Sequence, residues 1–283
     1  MTRRQKAILK RNLFLTFCAA ILILFICLVV FIISALTKDK IDSNISENPS
    51  VTSSQESETN ETSSEENSSE QISSTPQMVE INGVTLDASY RNLLLVNGKN
   101  PLPADHDYNA NLIVAPISYK KGSTDEVYRK FNKDIWPYLK AMMDDARADG
   151  IDIGIISAWR SYDTQRILFD DKVSRLKSQG YSQTAAEKEA ATCIALPGTS
   201  EHHTGLAVDF NVTQASFENT KTFKWLKENA ENYGFILRYP NDKMEITGGI
   251  IYEPWHWRFV GINTAKEINR LGICLEEYVK YNS

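Results

Sequence analysis

The sequence predicts an α+β fold for residues 79–283. Three observations carry it. Short apolar, β-branched runs recur among segments of helical periodicity. The two kinds are interspersed without the regular alternation of a doubly wound sheet. The stretch holds 24 Lys/Arg against 27 Asp/Glu, a near-neutral balance over enough chain to bury one core. That balance excludes a strongly basic nucleic-acid binder. Four cysteines in 283 residues exclude a disulfide-dense miniprotein.

Two unlike segments precede this domain. Residues 1–12 form a basic tail with Arg3, Arg4, Lys6, Lys10 and Arg11. Leu13 to Leu36 is an uncharged, mostly apolar run of 24 residues, long enough to cross a ~30 Å hydrocarbon core. It exceeds the apolar core of a cleaved signal peptide, and no A-x-A pattern follows it. The expectation is an uncleaved single-pass signal anchor, with the basic flank inside and the bulk of the chain outside. Residues 37–78 follow as a linker. From residue 41 it carries eight acids and no Lys or Arg, with Ser, Thr and Asn between them. Such a composition cannot offset ordering entropy, so the linker is expected to be disordered and extended.

The elements of the domain follow in order. Leu93-Leu94-Leu95-Val96 reads as a buried strand closed by Asn97-Gly98. Thr124 to Asp149 sets Val127, Phe131, Ile135, Leu139 and Met142 at helical spacing, with Gly150 as the stop. Ile151 to Ala158 reads as a central strand. Tyr162 to Gln179 and Ser182 to Ala195 read as helices, the second halted by Pro197-Gly198. Leu206 to Val212 reads as a strand, Ser216 to Tyr233 as a helix stopped by Gly234, Phe235 to Arg238 and Trp255 to Val260 as strands, and Thr264 to Arg270 as a closing helix.

The chemistry concentrates in Ser200-Glu-His-His-Thr-Gly-Leu-Ala-Val-Asp209 and Glu253-Pro-Trp-His-Trp-Arg258. Of four histidines, three fall here; His106 sits in a Pro/Asp loop and reads as solvated. His202, Asp209 and His256 offer two imidazoles and a carboxylate, a donor set that suits a catalytic zinc with one open position. Glu253, three residues before His256, is placed to act as a general base. His203 should point away from His202 on an extended segment. Cys193 and Cys274 face outward in this topology, where a disulfide between them is permitted.

These residues resemble the zinc D-Ala-D-Ala metallopeptidases, whose pattern is S-x-H-x-x-G-x-A-x-D followed by E-x-W-H. Ser200, His202, Gly205, Ala207 and Asp209 match the first part; Glu253, Trp255 and His256 match the second. The likeness is strongest to VanY-type carboxypeptidases and their L,D-carboxypeptidase relatives. Arg160-Ser-Tyr-Asp-Thr-Gln165, Gly234-Phe-Ile-Leu-Arg-Tyr-Pro240 and Thr247-Gly-Gly-Ile250 support it. The resemblance implies a single zinc peptidase domain with a small antiparallel sheet flanked by helices, one Zn2+ on His202, Asp209 and His256, and Glu253 as base. It implies Arg160 as a catalytic and substrate-binding residue, because an Arg fork matches a terminal carboxylate. Gln165, Ser200 and Ser157 are expected to touch the peptide. The implied substrate is the D-Ala-terminated stem peptide of peptidoglycan. The anchor and linker, read from composition alone, put the domain on the outer face of a bacterial membrane; a monomer with no nucleic-acid partner is expected. The same pattern admits an L,D-carboxypeptidase, an endopeptidase, or a non-catalytic binding domain of the kind the related sonic hedgehog fold represents.

Overall fold

A computed structural model describes residues 76–281. The expected anchor, and the linker up to residue 75, lie outside the described residues. No helix among the described residues is long and apolar enough to cross a membrane.

The domain opens on a hairpin that sequence reading missed. Strands β1 (Met78–Ile81) and β2 (Val84–Asp87) pair antiparallel. Their turn is Asn82-Gly83, both at positive φ (48° and 81°), the two-residue turn whose twist suits a hairpin. Leu93–Val96 is not a strand. The carbonyl of Leu94 instead accepts from Arg258 Nη2 at 2.8 Å, so a guanidinium takes the place of a neighbouring strand. The Asn97-Gly98 turn does form, bridging Asn97 to Asn100.

The expected helix from Thr124 begins only at α1 (Trp136–Ala148). Upstream lie a 3-10 turn (Glu126–Arg129) and strand β4 (Lys130–Asn132), paired with β3 (Leu112–Val114). Local caps divide the segment: Asp125 accepts from the Val127 amide and Asn132 from the Asp134 amide. Pro137 sits in the first turn of α1, where its missing N–H costs nothing. Phe131 and Ile135 are still fully buried; their spacing reflected burial rather than helix.

The remaining elements fall near their expected places. They are β5 (Ile155–Ser157), α2 (Tyr162–Ser178), α3 (Gln183–Ala190), β6 (Ala207–Phe210), α4 (Lys221–Asn229), β7 (Phe235–Leu237), β8 (His256–Phe259), α5 (Ile262–Leu271) and α6 (Leu275–Tyr281). Ser161 and Ser182 cap α2 and α3 by accepting from the Thr164 and Ala185 amides, as expected of such N-caps. Helix α6 was not anticipated.

Strands β5-β6-β8-β7 form one antiparallel sheet in that order. Central strands β6 and β8 are buried along their whole length. Alternation sends Val208, Phe210, Trp257 and Phe259 into the main core and Ala207, Asp209, His256 and Arg258 to the opposite face. The sheet's register places Ser157 opposite Asp209, and Asp209 opposite His256. Three functional positions therefore line up across three strands, where cross-strand neighbours lie ~5 Å apart.

Candidate active site

His202 reaches this face from a 3-10 turn, Glu201–Thr204, that precedes β6. Gly205 ends the turn at φ 66°, a conformation that suits glycine. A Cβ on Gly205 would lie 2.6 Å from the Asn132 amide nitrogen, so the position also lacks room. The Gly in S-x-H-x-x-G-x-A-x-D thus folds the chain back and brings His202 over Asp209.

The three expected ligands meet. His202, Asp209 and His256 are buried, and one donor atom from each lies within 4.8 Å of the others. His202 Nε2 is 3.3 Å from Asp209 Oδ2, and His256 Nδ1 is 3.1 Å from Asp209 Oδ1. Asp209 Oδ1 is buried without a hydrogen bond, the signature of a lone pair kept for something other than a protein donor. His202 Nδ1 hydrogen-bonds the carbonyl of Ala158, which makes Nδ1 the donor and leaves Nε2 bare. The donor set and the ring orientations fit a tetrahedral zinc with one open position.

Glu253 stands beside this group. Its Oε2 is 3.8 Å from His256 Nδ1, and only 7 % of the residue is exposed. Burial, and next the Asp209 charge, push its carboxyl up to about 7, against the pull of His256 and Arg160. A group so poised can take and return a proton near neutral pH. Burial holds His202 down to about 4. Burial also opposes a charge on His256, but the Asp209 and Glu201 carboxylates facing its two nitrogens outweigh it and raise His256 to about 9. Burial would raise Asp209 as well; the two histidines overcome it and keep the carboxylate ionised.

Arg160 aims its guanidinium into the same cleft. Nη2 donates to Asp209 Oδ2 at 3.0 Å, Nη1 to Gln165 Oε1 at 3.1 Å and Nε to Ser157 Oγ at 3.2 Å. Ser157, Arg160 and Ser200 line a cleft of about 460 Å³ together with the metal-type donors and Glu253. Gln165 does not reach it as expected. It is fully buried, and its amide is spent on Arg160 and on the Ala195 carbonyl at 2.7 Å. Its place is behind the arginine rather than against a peptide.

Two further expectations are corrected, and a permitted disulfide is not formed. His203 does not lie on an extended segment; the 3-10 turn buries it, with Nδ1 on the Arg160 carbonyl at 2.9 Å and Nε2 accepting from the Gly198 amide at 3.0 Å. Both nitrogens are used in holding the loop that carries Arg160. His106 is half-buried, its ring edge-on to Tyr108 at 4.9 Å. Cys193 and Cys274 are free thiols.

Sequence reading missed Glu201, Arg238 and Arg258, all buried behind His256. Arg258 lies between Trp257 and Phe259, and Arg238 follows the apolar run Phe235–Leu237. A charge inside such strands signals a buried counter-ion; the acid beside His202 was the candidate.

Two imidazoles and a carboxylate with one open side, flanked by a raised carboxyl and an arginine, define a mononuclear zinc metallopeptidase centre on an α+β domain. The family model of VanY, D-alanyl-D-alanine carboxypeptidase, matches residues 128–262. A D-alanyl-D-alanine carboxypeptidase of Enterococcus faecalis is 42 % identical over 187 residues, covering 66 % of this chain and 65 % of the relative. The matched stretch thus spans just under two thirds of that relative's length. A vancomycin-resistance D,D-pentapeptidase VanY variant, solved in complex with Zn(II), is 41 % identical with a TM-score of 0.55, covering 66 % of this chain and 98 % of that one. The LdcB LD-carboxypeptidase structure is 33 % identical with a TM-score of 0.58, covering 72 % of this chain and 94 % of that one. The chain belongs to the VanY D-alanyl-D-alanine carboxypeptidase family, whose metal is zinc.

Proposed function

We propose that this chain is a membrane-anchored zinc D,D-carboxypeptidase that removes the C-terminal D-Ala from peptidoglycan stem peptides. One observation carries the reading: Glu253, with its raised carboxyl, shares a cleft with the His202–Asp209–His256 donors and with Arg160. The uncharged run 13–36 and the acidic linker behind it support an outward-facing domain held off a membrane.

His202 Nε2, an Asp209 oxygen and His256 Nδ1 would hold Zn2+. When bound, the ion supplies Lewis-acid polarisation of the scissile carbonyl and a water acidic enough for a carboxylate to deprotonate. Glu253 takes that proton and returns it to the leaving amine of D-Ala. Arg160 reads the substrate's terminal carboxylate with its fork, and Gln165, pinned to Ala195, keeps the fork in place. A free C-terminus is then required, which favours a carboxypeptidase over an endopeptidase.

The L,D-carboxypeptidase reading stands second, favoured by the likeness to LdcB. Both activities cleave before a terminal D-residue and differ in the configuration of the residue preceding the bond. The test is to incubate the full chain, in detergent, with muropeptides ending in penta- or tetrapeptide, with zinc or a chelator. Zinc-dependent loss of one alanine from the pentapeptide supports the D,D reading. Loss from the tetrapeptide alone moves the chain to the L,D class. Release from neither, with zinc bound, leaves a non-catalytic binding domain.

A further inference from the structure

The hydrolytic scheme uses Nδ1 of His256 and leaves its other nitrogen unexplained. Nε2 is buried without a hydrogen bond, and so is Glu201 Oε2. The two face each other at 3.5 Å. Two orphaned polar atoms at this depth are costly apart, and each supplies what the other lacks. The second oxygen of Glu201 is fully engaged: Oε1 accepts from Arg238 Nε at 2.6 Å and from Arg258 Nη1 at 2.8 Å.

The clamp extends outward. Arg238 donates through Nη1 and Nη2 to both carboxylate oxygens of Glu276 on α6, at 2.9 and 2.6 Å. Glu276 Oε1 also accepts from Asn97 Nδ2 at 3.0 Å. Arg258 donates to the Leu94 carbonyl. Burying two guanidinium groups and a carboxylate is a poor route to stability, since an apolar cluster of equal volume serves as well or better. An arrangement of this kind is better explained by the group it holds.

We propose that Glu201 is the positioning residue of the metal centre. It accepts the Nε2–H of His256, fixes that ring, and turns Nδ1 toward Asp209 and Glu253. Arg238 and Arg258 hold Glu201, and α6 holds Arg238 through Glu276. The closing helix and the 92–97 loop are thereby connected to a ligand of the centre, although neither reaches it. The proposal rests on the zinc reading given above.

The experiment uses the full chain in detergent, labelled with 15N-histidine. Zinc affinity is measured by competition with a chromophoric chelator, and histidine tautomers by long-range 1H–15N correlation of the zinc-loaded protein. In the unsubstituted chain His256 is expected with Nε2 protonated, in slow exchange with water, and Nδ1 on the metal; His202 shows the reverse. Glu201→Gln keeps the shape but supplies a weaker acceptor. It should weaken zinc binding about 10–100-fold and broaden or split the His256 resonances while sparing those of His202.

A folded Glu201→Gln protein with unchanged zinc affinity and unchanged His256 resonances overturns the proposal. Should the variant fail to fold between its two arginines, the unsubstituted chain decides: an unprotonated, or freely exchanging, His256 Nε2 overturns it equally. An unsubstituted chain that binds no zinc at all would instead sink the functional reading, so the two failures are distinguishable.

Discussion

Replacing Glu253 with glutamine should stabilise the metal-free protein, and chiefly at neutral to alkaline pH. Burial is the first reason its carboxyl rises from 4.5 to about 7. A group with a raised native pKa carries no penalty below its unfolded value. The penalty grows as pH climbs from 4.5 and is complete above about 7, because the unfolded state sheds its proton more readily. At ~1.4 kcal/mol per pKa unit the native state loses about 3 kcal/mol at pH 8 but only about 0.8 kcal/mol at pH 5. Glutamine fills the same space and never ionises. For a domain of this size the gain corresponds to roughly 6–12 °C in Tm at pH 8 and about 2–3 °C at pH 5. Scanning calorimetry of chelator-treated protein at the two pH values measures it. An equal gain at both would trace the effect to packing rather than charge; a loss at pH 8 would refute the raised carboxyl. With zinc restored, the same variant should retain its metal and lose hydrolysis by about 10²–10⁴-fold. Loss of zinc instead would make Glu253 a ligand.

Three other outcomes follow from the same geometry. With His256 held at about 9 and His202 at about 4, zinc must displace one proton, from His256. The apparent zinc affinity should therefore rise by about tenfold per unit between pH 7 and 9, and calorimetry in buffers of differing ionisation enthalpy should count close to one proton released. Arg160→Ala should raise KM for free C-termini by roughly 10–100-fold, the worth of a lost charged hydrogen bond; Gln165→Ala should do the same more mildly. Equal cleavage of free and amidated peptides by the unsubstituted chain would end the carboxylate-clamp argument. Gly205→Ala should cost about 1–3 kcal/mol for its left-handed backbone alone and weaken zinc binding as His202 shifts from Asp209, read by thermal melting and chelator competition.

The order of strands and helices from residue 150 to 271 was legible where local signals close the elements, with Gly150, Pro197-Gly198 and Gly234 as stops; α6, beyond them, was not. The region before residue 150 was misread where spacing outran local chemistry. Val127, Phe131 and Ile135 repeat at four-residue intervals, yet Asp125 and Asn132 bind nearby amides and break the segment. Leu93–Val96 has the composition of a strand, but its hydrogen-bonding partner is a side chain 164 positions away, which no local pattern announces. The meeting of His202, Asp209 and His256 was legible because their spacing follows from one glycine turn and one strand register. Gln165 was misassigned for a different reason: a polar residue five positions beyond an arginine on a capped helix faces either substrate or arginine, and only the position of the Ala195 carbonyl decides.

Three carboxylates beside His256 show how one site separates roles with a single functional group. Asp209 is ionised because both imidazoles face it, and its unpaired oxygen is open to a cation. Burial would raise Glu201 too, but Arg238 and Arg258 outweigh it and keep the carboxylate charged, so it can only accept. Glu253 has no such fixed cation in hydrogen-bond contact and rises to about 7, where it can both take and give a proton. Exchanging these surroundings, not the residues, would exchange the roles. The arginines are therefore as much a part of the chemistry as the ligands. In the proposed scheme they keep Glu201, a second carboxylate beside His256, from becoming a second base, which leaves Glu253 to move the proton.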